Sequence, residues 1–352
     1  MKVVFFCGNQ SRYGIGHLIP LLESKLQIAK VIIATPKRWQ IFRETLQGKR
    51  YYEEKEFFNW NIKFLAKTIL PAKVANLLRS LKSKSTNVNI KSICNQHNVS
   101  LTEVFDVNDA TFCEELKEEG YDLFISAAYP QIFRANLLKI PKIGAVNFHP
   151  SALPRCRGAH PHYWAVAEGE EYGGVTAHFM TERLDDGDII AQTKFAISRY
   201  NYADYYERIE EETPQLVKKV EDYFFGTDRK LNPQDSEKAT YFRNDREIHH
   251  RIFWNLHDAE QIYNICRAGN AFFFLKGEKI ILTKAYVSKQ NRNMTNQVSV
   301  ENGAVVDFYQ DAVVIKTLKG FINIQAVQLK GRNLSWRKWA DKSKIRIGLK
   351  ME

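Results

Sequence analysis

Short runs of β-branched and aromatic residues alternate with segments of helical spacing along roughly the first 200 positions, and this alternation constrains the chain more than any single motif. "KVVFFC" (2–7) leads through a polar, Gly-containing turn into a segment with leucines at 18, 21 and 22. "AKVIIATP" (29–36) follows at a βαβ distance, and "YDLFISAAY" (121–129) and "GAVNFHP" (144–150) each come after a helical or polar stretch. "GGVTAHFM" (173–180) and "IIAQTKFAI" (189–197) are further strands, joined by the turn "TERLDDGD". Strands separated by helices do not pair as simple hairpins, so the pattern predicts an α/β fold built on a doubly wound, mostly parallel sheet.

After Ser198 the character changes. "YNYADYYERIEEETPQLVKKVEDYFFG" predicts a helix, and "TDRKLNPQDSEKATYFRND" reads as a polar linker. A short helix at His257 to Ala268 then precedes five strand-like runs, at 271–275, 279–286, 303–309, 312–317 and 321–329, with no helix between them. Such a run of short strands predicts a small barrel or sandwich. The expected organisation is an α/β domain over 1–200, a helix and linker over 201–245, and a β-rich C-terminal domain over 246–352. Within the first domain, the aromatic, basic stretch at about 50–100 reads as a helical insertion outside the sheet, broken at Pro71.

Composition excludes several classes. Apolar and charged fractions of 44% and 26% are those of a globular protein. No stretch reaches the roughly 18 consecutive apolar residues of a membrane span. "MKVVFFCGNQ" has one lysine and a short apolar run, a strand rather than a signal peptide, so the expectation is a cytoplasmic protein with no membrane partner. The five cysteines are odd in number and form no C-x-x-C pair, which points to reduced thiols and not to a disulfide framework or a thiolate zinc site. Net charge is +11 and unevenly placed: seven Lys or Arg and no acid between Asn59 and Thr102, and ten against two acids from Lys316 onward. Solvated faces or contact with an anionic partner both account for such runs.

The chemistry concentrates at "NFHPSALPRCRG" (147–158). Asn147 and His149 stand at the end of a buried strand, where reactive side chains of α/β sheets lie, and Pro150 biases the backbone after His149 towards an extended form. Over 144–192 the chain carries N-x-H-P-S-x-L-P, then R-G, then a G-V-T strand, then an L-D-x-G turn. Several elements recurring in order resemble the 10-formyltetrahydrofolate-dependent formyltransferases, the family of glycinamide ribonucleotide, methionyl-tRNA and nucleotide-sugar N-formyltransferases. The resemblance implies a Rossmann-like catalytic domain, 10-formyltetrahydrofolate as formyl donor, and Asn147, His149 and Asp185 as catalytic residues.

Elementary chemistry agrees with that assignment. Formyl transfer to an amine passes through a tetrahedral intermediate with negative charge on oxygen, which an Asn amide and an imidazole N–H can stabilise. A nearby carboxylate keeps the imidazole protonated and relays protons from the attacking amine to the departing folate nitrogen. Asp186 and Asp188 flank Asp185 as alternative positions for this group. His149, His160, His162 and His178 also allow a metal reading, but no Glu or Cys ligand set accompanies them, and no metal is expected.

The resemblance further implies a folate-side segment at "AAYPQIFRANLL", with Pro130, Gln131, Ile132 and Phe133 at the matching positions, and an acceptor-side loop with Asn9, Gln10, Ser11 and Arg12. "RGAHPHYWAVAEGEE" stands where the tRNA enzymes carry an "RGAAPIxxAI"-like run, which places His160, His162 and Tyr163 as candidate contacts to a different amine. The expected acceptor is therefore the amino group of a nucleotide-linked sugar. Initiator methionyl-tRNA is the alternative, carried by the basic tail "GRNLSWRKWADKSKIRIGLK" with Trp336 and Trp339 as stacking groups. A catalytically silent binding homologue is the third reading; loss of Asn, His or Asp would mark it, and all three are present.

Overall fold

The computed structural model describes residues 1–8, 11–35, 89–227, 229–288 and 300–352. Most of the stretch read as a helical insertion at about 50–100 lies outside the described residues, as do Asn9 and Gln10. The chain divides into two compact units: Met1–Pro154 with Gly174–Thr193 and Arg208–Glu237, and Arg155–Gly173 with Lys194–Glu207 and Lys238–Glu352.

The first elements along the chain are β1 (Lys2–Cys7), α1 (Arg12–Leu22), β2 (Gln27–Ala34), α2 (Ile90–Gln96), β3 (Ser100–Val104), α3 (Ala110–Glu119), β4 (Leu123–Ala127), α4 (Ala135–Leu138) and β5 (Gly144–His149). They are followed by β6 (Arg157–Gly158), α5 (Pro161–Ala167), β7 (Tyr172–Phe179), β8 (Ile189–Ala196) and α6 (Tyr202–Phe225). A seven-stranded sheet runs in the order β3-β2-β1-β4-β5-β7-β8. β1 to β5 are parallel, and β7 joins β5 antiparallel. The doubly wound α/β expectation holds.

The central strands explain the order. All five residues of β4 and five of the six in β1 are buried, as befits parallel strands covered on both faces. Phe6 packs edge-on against Phe124 and Phe133 at ring separations of 5.1 and 4.8 Å, inside a core shared with Val4, Ile32, Leu116 and Leu137. α1 starts where the Ser11 hydroxyl caps the Gly14 amide, and it lies so close to β1 that a Cβ at Gly14 would come within 2.7 Å of the Cys7 Cβ. The sequence reading passes over β3: "SLTEV" is a half-exposed edge strand, too short and polar for its alternation to stand out.

The second unit is a six-stranded antiparallel sheet in the order β10-β11-β14-β13-β12, with β15 added beside β14. Its elements are β9 (Tyr241–Phe242), α7 (Glu247–His250), α8 (Ala259–Ala268), β10 (Phe272–Leu275), β11 (Glu278–Val287), β12 (Val305–Phe308), β13 (Val313–Lys316), β14 (Phe321–Leu329), β15 (Arg332–Ser335) and α9 (Trp336–Ser343). The five expected strands are present, and the basic tail forms β15 and α9. Trp339, read from sequence as a stacking group for RNA, is 0% exposed and sits among Trp254, Phe273, Leu275 and Ile280; Trp336 is half-buried against Phe308. Periodicity over eight residues rich in Lys and Arg was too weak to show that α9 buries one face.

The polar stretch read as a linker is also ordered. Asn232 makes a two-bond antiparallel bridge with Ile189, and Tyr241 and Phe242 pair in parallel with Arg157 and Gly158.

Candidate active site

The end of β5 and the turn between β7 and β8 bring four polar side chains of the first unit together. Asn147 and His149 are two apart and share a face of β5, and the antiparallel register sets Asn147 opposite His178 and His149 opposite Thr176. The Asn147 Nδ2 group donates to Asp185 Oδ1 at 3.4 Å and meets His178 Nε2 at 3.5 Å. His149 Nδ1 stands 3.6 Å from Asp185 Oδ2, and His178 Nε2 3.5 Å from Asp185 Oδ1. His149, His178 and Asp185 are 4%, 1% and 7% exposed, so water screens these contacts little.

Proton positions follow from the partners. The Phe179 carbonyl, 2.8 Å from His178 Nδ1, can only accept, so Nδ1 carries a hydrogen. The Asp185 carboxylate can likewise only accept, which orients the Asn147 amide with its NH2 group on that side. His149 faces the carboxylate with Nδ1, so a hydrogen on that nitrogen points at Asp185.

A hydrogen-bond cluster at one end and a close backbone contact at the other hold the backbone that carries these groups. After His149, the Thr176 hydroxyl donates to the Ser151 carbonyl at 2.7 Å and accepts from the Leu153 amide at 3.3 Å and Gln192 Nε2 at 2.7 Å. Gln192 Nε2 also reaches the Leu153 carbonyl at 2.9 Å. Thr176 is 0% exposed, and this buried set adds to the stiffness that Pro150 contributes. At the other end, Asp185 is held at φ +53° and is followed by Gly187, where a Cβ would fall 2.0 Å from the Phe179 carbonyl oxygen. Only glycine fits there.

The remaining sequence candidates divide. Ser11 is the α1 cap, and Arg12 makes a two-pronged pair with Glu210 of α6 at 2.6 and 3.0 Å. On the segment expected to face the folate, Pro130 and Ile132 are exposed, Ile132 by 67%. Gln131 is tied to the loop after β3, its Nε2 donating to the Phe105 carbonyl at 2.8 Å and its Oε1 accepting from the Val107 amide at 2.9 Å. Phe133 is 2% exposed and belongs to the core.

His160, His162 and Tyr163 lie in the second unit and are engaged there. His160 caps α5 in the left-handed region and bonds Asp245 through Nδ1; Asp245 also receives His250 Nε2 at 2.8 Å, and the two histidines hold its carboxyl well below the usual range. His162 Nε2 meets the Tyr202 hydroxyl at 2.6 Å. Tyr163 is 4% exposed and donates to the His249 carbonyl at 3.3 Å. Among the described residues no group of three or more His, Cys, Asp or Glu is arranged to hold a metal ion.

His178 is the member of the cluster that sequence reasoning did not assign. Its signal was available: in "GGVTAHFM" it alternates with Thr176, and an antiparallel neighbour to "NFH" sets it opposite Asn147. Without knowledge that β7 pairs with β5, it was one histidine among four.

Comparison with known proteins bears on the chemistry. Residues 71–220 match the formyl transferase family and residues 247–344 the formyl transferase C-terminal domain. Methionyl-tRNA formyltransferase of Lachnospira eligens is 29% identical over 242 residues, covering 67% of this chain and 76% of that protein. Among solved structures, an N-formyltransferase from Helicobacter canadensis in complex with folinic acid and dTDP-3-aminofucose shares the fold, with a TM-score of 0.58 at 17% identity over 92% of this chain and 99% of that one. HypX from Aquifex aeolicus is 21% identical with a TM-score of 0.47, and this chain spans 43% of its length. With both family domains present in order over more than two thirds of its residues, the chain belongs to the formyl transferase family of enzymes, which move formyl groups.

Proposed function

We propose that this enzyme transfers a formyl group from 10-formyltetrahydrofolate to the amino group of a nucleotide-linked sugar. The observation that carries the transfer chemistry is the meeting of Asn147, His149 and Asp185 within 3.4 to 3.6 Å in a buried setting. The acceptor nitrogen attacks the formyl carbon, and charge develops on the formyl oxygen. Asn147 and the protonated His149 donate to that oxygen, and loss of one such donor costs about 3 kcal/mol of transition-state stabilisation. Asp185 takes the proton lost by the amine and returns one to the folate nitrogen as the C–N bond breaks, so tetrahydrofolate leaves neutral at that atom.

Exposed apolar Ile132, on a loop pinned by Gln131, suits the flat pterin of the donor: an apolar wall on a segment that does not yield. Two features support the sugar. "RGAHPHYW" departs from the tRNA-enzyme pattern, and Trp339 is committed to the core and so withdrawn from base stacking. The second reading, initiator methionyl-tRNA, has its own support in the exposed Arg332, Lys338, Lys344 and Arg346 of the tail and in the activity named for the Lachnospira relative.

The deciding experiment offers 10-formyltetrahydrofolate with either purified initiator methionyl-tRNA or a dTDP-linked amino sugar and follows formylated product directly. Efficient formylation of the tRNA would overturn the sugar reading. Transfer to the sugar nucleotide with none to tRNA is the expected result.

A further inference from the structure

Gln234 lies between the two stretches that match family domains, in sequence that read as linker. Its side-chain amide nevertheless reaches the turn that carries Asp185: Nε2 donates to the Asp185 carbonyl at 2.9 Å and to the Gly187 carbonyl at 2.8 Å. We propose that Gln234 is a positioning residue that sets the Asp185 carboxylate for proton transfer, an inference that rests on the reading of Asp185 as the proton relay.

The turn has a specific need for such a clamp. Asp185 sits at φ +53°, a region disfavoured for a residue with a Cβ, and it holds that conformation while its carboxylate faces Asn147 and His149. Strained backbone persists where its surroundings over-determine it. On one side, the Phe179 amide bonds the Asp188 carbonyl at 3.0 Å and Gly187 is pressed against the Phe179 carbonyl. Gln234 supplies the other side.

Its own position is fixed two residues earlier, where Asn232 exchanges two backbone bonds with Ile189 at 2.9 and 3.0 Å, at the start of β8. The register of that bridge delivers residue 234 under the turn. Chemistry selects glutamine. An NH2 group offers two hydrogens to two carbonyls two residues apart, whereas a glutamate oxygen would face two acceptors, leucine has no donor, and asparagine is one methylene short.

The test uses the full-length enzyme as Gln234→Glu, Gln234→Leu and Asp185→Asn. The acceptor-independent readout is the titration of the Asp185 carboxyl, followed by carbon NMR on aspartate-labelled protein and assigned by its absence in Asp185→Asn. The catalytic readout is kcat and KM with 10-formyltetrahydrofolate and whichever of methionyl-tRNA or the dTDP-linked amino sugar the preceding assay selects.

Both Gln234 variants are expected to move the Asp185 pKa by about half a unit or more. They are also expected to lower kcat about tenfold or more with KM for the donor nearly unchanged, the signature of a group needed in the transition state. In Gln234→Glu, activity relative to Gln234→Leu should recover as pH falls, because a protonated carboxyl regains one donor. An unmoved Asp185 titration, or wild-type kcat in both variants beside an inactive Asp185→Asn, would overturn the role of Gln234 and leave the Asp185 reading standing. A fully active Asp185→Asn would remove that reading itself.

Discussion

Trp339→Ala tests whether the tail's aromatic residue is core or ligand surface. The side chain is 0% exposed, touches Phe273 edge-on at 5.9 Å, and shares its cluster with Trp254, Leu275 and Ile280. An indole buries about 200 Å², worth about 5 kcal/mol at ~25 cal/mol/Å². Against this, Nε1 is buried without a hydrogen-bond partner among the described residues, a cost of about 1–2 kcal/mol. The net loss on truncation is then about 3–4 kcal/mol, in the range for Trp→Ala in well-packed cores. Trp339→Phe keeps most of the apolar area and removes the stranded N–H, so it should cost less than about half as much. Urea unfolding of both variants reads these differences in the midpoint, with transfer assays run in parallel under native conditions. A Trp339→Ala protein that keeps wild-type stability and loses acceptor binding would refute the argument and return this residue to the ligand.

Asp185→Asn should leave folinic acid binding by calorimetry within about threefold and lower turnover about 10²- to 10⁴-fold, the usual contribution of a positioned acid or base; wild-type turnover would sink the assignment. Burial pulls the His17 ring, on α1 against Tyr13 and Phe148, down to about 4. Because the folded state then binds this proton more weakly than the unfolded chain, its contribution is full above about pH 6.5 and about 3 kcal/mol is lost as pH falls from ~6.5 to ~4. Urea midpoints at several pH values should show that slope in the wild type and its absence in His17→Phe. Salt separates the acceptors: KM for a nucleotide sugar should rise shallowly between 50 and 200 mM salt, whereas a tRNA gripped at several phosphates would weaken by orders of magnitude over about that range.

Much of the candidate site was legible because its signals are local. Asn147 and His149 sit two apart before a proline, Asp185 occupies a tight turn with Gly187, and the strand pattern around them puts both at one end of a parallel sheet. Local sequence also determined the α/β alternation and the five strands of the second unit, since period-2 and period-3.6 patterns express which face each element must bury.

What the tertiary structure alone decided are the pairings between residues distant in sequence. His178 joined the cluster only once β7 paired with β5, thirty-one positions from Asn147. Arg12 was assigned to Glu210, 198 positions away, and Gln234 to the Asp185 turn, 49 away. Such partners leave no periodic trace, because a hydrogen bond made by a side chain constrains a point in space and not a spacing along the chain. The same reason kept α9 hidden: which face of a short, basic helix is buried depends on the sheet it meets, and Trp339 found that sheet.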